Sequence, residues 1–130
     1  MKKIIIISLI FSALLGVAIF EMLYTTRLYT DIHEGLIKVS DSIEKNEDNL
    51  NNPETMQLMK NVMDRWNRGK EILFSFGNTT LLRSVDERLI TLDVMIKINH
   101  PDDAPIAAAT AKALIKAIIN DTHPVPTNLF

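Results

Sequence analysis

Three histidines, His33, His100 and His123, are the side chains best suited to metal or proton chemistry in a chain that has no cysteine. A zinc site of the His-Glu-x-x-His kind places two imidazoles four residues apart on one face of a helix. His33-Glu34 is followed by Gly35-Leu36-Ile37, so the second imidazole is missing. His100-Pro101-Asp102-Asp103 gathers an imidazole and two carboxylates around which a divalent cation could sit. An acid at that point also caps the helix expected to follow, which accounts for the cluster more simply. Acid pairs such as Asp86-Glu87 fall where a helix turns its polar face outward, whereas general acid and base work needs carboxylates converging in a cleft. There is no glycine-rich phosphate loop and no Gly-x-Ser-x-Gly elbow. The sequence therefore predicts no catalytic residue, no cofactor and no metal site, and the chain reads as a non-enzyme.

Binding is the better prospect. Trp66 stands with Met56, Met59 and Met63 at helical spacing, a soft apolar set that suits a core first and a groove for an apolar ligand or partner helix second. Lys70 continues the same stripe and must either lift its ammonium to solvent at the end of the buried face or meet another chain. The chain closes on Leu129-Phe130, which can dock on the body of the protein or on a partner. Trp66, Lys70, Leu129 and Phe130 form the candidate interaction surface.

What positions these residues follows from composition. The 130 residues suffice for one modest core. Four glycines, five prolines and 6% aromatic residues favour helices over a sandwich of sheets, so the fold class is all-α. The net charge of -2 includes Lys2 and Lys3, which leaves the rest more acidic still, with its charges interleaved. Arg65, Arg68 and Lys70 come nearest to a basic stripe but are broken by Asp64 and Glu71, which excludes nucleic acid as an expected partner. The lack of cysteine rules out a disulfide framework and a lipid-attachment site.

From Ile4 to Phe20 only Ser8, Ser12 and Gly16 interrupt the apolar side chains, and no charge appears. As a helix this run is about 26 Å long, nearly enough to cross the hydrocarbon of a bilayer, and Met22, Leu23 and Tyr24 extend it. Lys2 and Lys3 precede it and Glu21 follows, so the positive-inside bias keeps the N-terminus in the cytoplasm and carries the remainder across the plasma membrane. Tyr24 and Tyr29 suit the outer interface. The alternative is a cleaved signal peptide, since Gly16-Val17-Ala18 offers small residues for a peptidase, and the domain is then secreted. The run continues through Ile19 and Phe20 without a polar cleavage region, which favours a retained anchor.

Beyond it, Leu28, Ile32, Leu36, Val39 and Ile43 mark one face of a helix that can run straight on from the span and stops near Asn46. Asn52 caps the next helix and Pro53 suits its first turn, and Met56, Met59, Met63, Trp66 and Leu73 mark its face up to Gly77. Asn78-Thr79-Thr80 supplies a turn and N-cap for a third, carrying Leu82, Val85, Leu89, Leu92 and Ile96 and ending near Asn99. A fourth begins around Asp103 to Pro105 and runs through Ile106, Leu114 and Ile118, its alanines permitting close approach. Residues 1–24 thus form a membrane anchor, 25–123 an antiparallel bundle of about four helices, and 124–130 an extended tail.

The Lys-Lys start, the single span, Trp66 with Lys70 before a helix break, Glu87-Arg88-Leu89, His123-Pro124 and the closing Asn128-Leu129-Phe130 resemble the bacterial family called domain of unknown function 4363. The chain departs from that pattern at Gly77-Asn78-Thr79-Thr80, where the family tends to carry a histidine and acids. The resemblance implies an anchored helical protein of Gram-positive type and brings no activity with it. The expectation is a non-enzymatic, extracytoplasmic interaction or structural module that meets lipid through Ile4 to Phe20 and an envelope protein through its helical surface. The alternative is a ligand-sensing bundle of an envelope signalling system.

Overall fold

The computed structural model describes residues 1–76 and 79–122. They form α1 (Lys2–Lys45), α2 (Pro53–Phe76), α3 (Thr79–Lys97) and α4 (Ala104–Thr122), and among the described residues there is no strand. The apolar N-terminal segment and the first bundle helix are one uninterrupted helix of 44 residues. Its apolar N-terminal part is long and apolar enough to cross a membrane, and none of that segment is buried against the rest of the chain. Burial starts around Glu21 and becomes periodic from Leu28, through Ile32, Leu36, Val39 and Ile43, as the single apolar face requires. Tyr29 belongs to this buried face rather than to an exposed belt, and burial pushes its hydroxyl pKa up. Tyr24 packs partly against the core and stacks on Phe20 one turn earlier, with ring centroids 6.2 Å apart.

The four helices close into a ring in which α1 packs on α2 and α4, and α3 packs on α2 and α4. Leu28, Ile32, Leu36, Trp66, Leu89, Leu92, Ala108 and Ile115 are among the buried side chains that fill its centre. Two glycines set the approach of α1 to α2. A β-carbon on Gly69 would overlap the Cδ2 of Leu28 and stand 3.1 Å from its Cδ1, and one on Gly35 would stand 2.7 Å from Cγ2 of Val62. Ser42 and Thr55, both buried, join hydroxyls at 2.5 Å. The pairs Leu28/Gly69, Gly35/Val62 and Ser42/Thr55 advance in steps of seven along α1 and retreat in steps of seven along α2. That is the period of a left-handed antiparallel coiled coil, which keeps one seam in register over most of the contact.

The loops at the end of the bundle away from the apolar segment are closed by asparagines. Asn52 caps α2 through its Oδ1, which accepts the Thr55 N–H at 2.9 Å, and its Nδ2 donates to the Thr55 hydroxyl and the Asn49 carbonyl. Asn99, with φ 55, occupies the left-handed position that ends α3. His100 N donates to Met95 O at 2.9 Å and Asn99 N to Ile96 O at 3.1 Å, the pair of bonds of a Schellman stop. The Asn99 Oδ1 then accepts the Leu50 N–H at 2.9 Å and ties the α1–α2 loop to the α3–α4 loop.

Alanine forms helix more readily than glycine by about 1 kcal/mol, yet Gly69→Ala is expected to destabilise the bundle by about 1 to 2 kcal/mol, because the new methyl meets the fully buried Leu28. Denaturant titration of the full chain in detergent checks this. Leu28→Ala is expected to cost less in the Gly69→Ala background than alone, and Gly16→Ala, where the added β-carbon meets nothing within 4 Å, to leave the bundle unchanged.

Candidate functional site

Of the residues singled out for binding, Trp66 and Lys70 meet at the seam between α2 and α3. Trp66 lies on the α2 face that points to the bundle axis and is fully buried. A buried indole needs an acceptor for its N–H. Asp86, one residue past the buried Val85 on α3, provides it, and its Oδ1 accepts the Trp66 Nε1–H at 2.8 Å. The same oxygen accepts from Lys70 Nζ at 3.4 Å. Lys70, one turn along α2, is therefore half-buried and turned to the seam rather than raised into open solvent. One carboxylate oxygen serves both donors and ties α2 to α3 in the half of the bundle nearer the apolar segment.

The methionines divide. Met59 is fully buried, while Met56 and Met63 border an open groove of about 560 Å³ between α2 and α3, with Pro53, Asn67 and Ile96. Lys60 and Asp64 form its α2 rim and pair at 2.8 Å; Asp93 and Lys97 form its α3 rim and pair at 3.0 Å. An apolar floor between self-neutralised rims can receive an apolar side chain or a partner helix, and it leaves no charge waiting for a counter-ion. Arg65 reaches across to α1 and donates from Nε to Asp31 Oδ2 at 3.1 Å.

The candidates for metal chemistry stay apart. His33 lies on α1, whereas His100 sits in the α3–α4 loop with its Nδ1 3.3 Å from Asp103 Oδ2. Among the described residues no group of three or more His, Asp or Glu side chains could hold a metal ion. Asp103 stands just before α4, and its carbonyl accepts the Ala107 N–H at 2.9 Å while its carboxylate faces His100. His123, Leu129 and Phe130 lie outside the described residues, as do Gly77 and Asn78.

Sequence reasoning set Asp86 on an outward polar face, and the structure turns it to Trp66. The signal was its place beside the apolar stripe of α3, opposite a tryptophan that must find an acceptor. Ser42 carried a comparable signal, since it interrupts the stripe between Val39 and Ile43 and meets Thr55 there.

Asp86→Ala leaves a buried indole N–H without a partner and is expected to cost about 1 to 3 kcal/mol in denaturant titration. Trp66→Phe combined with it should cost clearly less than the two singles together. Strict additivity would show that the two side chains do not share one interaction. Comparison of the chain with family models, with curated proteins and with solved structures finds no match to any of the three.

Proposed function

We propose that the protein is a membrane-anchored, non-enzymatic module whose helical bundle stands on the outer face of the plasma membrane and works by contact with an envelope protein. The observation that carries this reading is the unburied apolar half of α1. Its isoleucines, leucines and phenylalanines are half to two-thirds exposed or more on every side, as with Ile4 at 71%, Phe11 at 67% and Phe20 at 69%. A surface of that size and continuity is far beyond what a water-soluble protein leaves bare, and a bilayer is the environment that suits it. Lys2 and Lys3 at its start favour an N-terminus held in the cytoplasm. The resemblance to the family domain of unknown function 4363 fits the same plan of one span and one helical domain.

Support for a contact role comes from what the bundle holds: rim charges paired with each other, a tryptophan satisfied within the core, and a groove floored by methionine and isoleucine. That groove also favours the second reading, a bundle that senses an apolar ligand, because methionine side chains adapt to varied shapes. A saturable rise in melting temperature with a small apolar compound would move the assignment to the second reading.

The chain has no cysteine, so a single one introduced by Asn49→Cys in the exposed α1–α2 loop reports on the bundle alone. It is expected to react with a membrane-impermeant maleimide on intact cells. Reaction only after lysis would place the bundle in the cytoplasm and overturn the proposed orientation.

A further inference from the structure

The register of the bundle sorts its cations by height, which their order in the sequence hides. Measured from Phe20, where the apolar run ends, Arg27 lies about 10 Å along α1 at 1.5 Å per residue. The opposed pair Leu28 and Gly69 puts Arg68 of α2 at nearly the same height. The Trp66–Asp86 bond fixes α3, which runs parallel to α1, and brings Arg83, three residues nearer the span than Asp86, to that level as well. Arg27, Arg68 and Arg83 are all exposed. Arg65 and Arg88 follow within the next turn or so, so every arginine of the chain lies in the half of the bundle next to the span. Beyond Lys2 and Lys3, Lys38, Lys45, Lys60, Lys97 and Lys112 lie in the far half, while Lys70 and Lys116 lie in the near half.

The acids at the near end are partly engaged. Asp31 holds Arg65, Asp64 holds Lys60, and Asp86 holds Trp66 and Lys70. Among the residues whose side chains are described, Glu21, Glu34, Glu71 and Glu87 remain as acids at that end. Among the described residues Arg27 and Arg83 have no ion-pair partner, and the Arg68 contact, Nε to the Asp64 carbonyl at 3.2 Å, is with backbone. The headgroup layer of a bilayer adds about 5 to 8 Å to each side of its hydrocarbon. A guanidinium on a flexible apolar stem at a height of about 10 to 13 Å can lean back to the phosphates of that layer. The planar fork of arginine binds phosphate through two parallel N–H bonds, which the ammonium of lysine cannot do.

We infer that Arg27, Arg68 and Arg83 form a phosphate-binding collar with which the bundle grips the headgroups of anionic lipid on the leaflet it faces. This rests on the reading of α1 as a membrane span and adds to it a lipid-specific contact that holds the bundle against the surface. Lipid phosphate is favoured over a soluble anion because the three side chains stand at one height on three separate helices, a layout that matches a plane.

The test places the full chain in nanodiscs of phosphatidylcholine alone or with about one third phosphatidylglycerol, and follows amide hydrogen exchange along the bundle. With the anionic lipid, residues 24–30, 66–72 and 80–86 are expected to exchange about fivefold more slowly or better, the effect of one basic residue engaged at an anionic surface. The loops at 46–52 and 98–103 should not change, and raised salt should erase the difference. The triple variant R27Q/R68Q/R83Q should lose the protection and each single variant part of it, while K38Q/K45Q/K112Q, with the same change of charge at the far end, should keep it. Equal exchange in both lipids, or equal loss in both triple variants, overturns the collar and leaves the span intact. Protection by free inorganic phosphate in discs of neutral lipid would assign the arginines to a soluble anion and likewise overturn it. A chain that will not enter discs overturns the span and the collar together.

Discussion

One helix carries two patterns of side chain. Along α1 the side chains from Ile4 to Phe20 are apolar all round, and those from Leu28 to Ile43 are apolar on one face only. None of the first stretch is buried against the remaining helices, which cover the apolar face of α1 from Leu28 onward. The change from one pattern to the other occurs within about two turns around Glu21, without a glycine or proline to break the helix. A continuous rod that changes pattern in this way fixes the distance from its apolar part of everything attached to its upper part.

The seam between α1 and α2 shows how that attachment is made. Gly69 and Gly35 receive Leu28 and Val62, so the two backbones come close at two levels seven residues apart, and at the third level a buried hydroxyl pair takes the place of an apolar knob. Small residues allow the approach, and the Ser42–Thr55 bond penalises any slip of register, since a shift would leave buried oxygens without partners. The α2–α3 seam is held differently, by Trp66 and Lys70 sharing one oxygen of Asp86, with the methionine-lined groove left open beside it. The bundle thus has one close-packed seam and one polar, looser seam.

Much of this was legible in the residues. The apolar faces of all four helices, the stop near Asn46, Asn52 as a cap and Pro53 as the first residue of α2 follow from spacing and local chemistry, which act over one turn. What could not be read were relations between helices. Gly35 and Gly69 look like weak points of a helix until the partner that needs the space is known. Tyr29 looks like an interface residue by its distance from the span, yet it falls on the core face. Asp86 looks like a solvated acid beside Glu87, and its meaning depends on Trp66 lying opposite. Asn99 joins two loops through a bond to Leu50 that spans 49 positions of sequence. The shared height of Arg27, Arg68 and Arg83 has the same origin, since it arises only once antiparallel helices are brought into register.

Everything turns on what surrounds the apolar half of α1. The most direct measurement is a nitroxide scan from Ile4 to Arg27 in the cysteine-free chain reconstituted in liposomes, comparing collision with oxygen, which concentrates in hydrocarbon, and with a polar nickel chelate. The lipid-spanning account predicts an immersion depth that rises to a maximum near Phe11 and Ser12, falls to the interface near Glu21, and varies little around the helix at a given depth. Access to oxygen that oscillates with a period of 3.6 residues, one face closed to both reagents, would show that protein covers this helix, and access to the chelate throughout would show that water does. Either result would contradict the account.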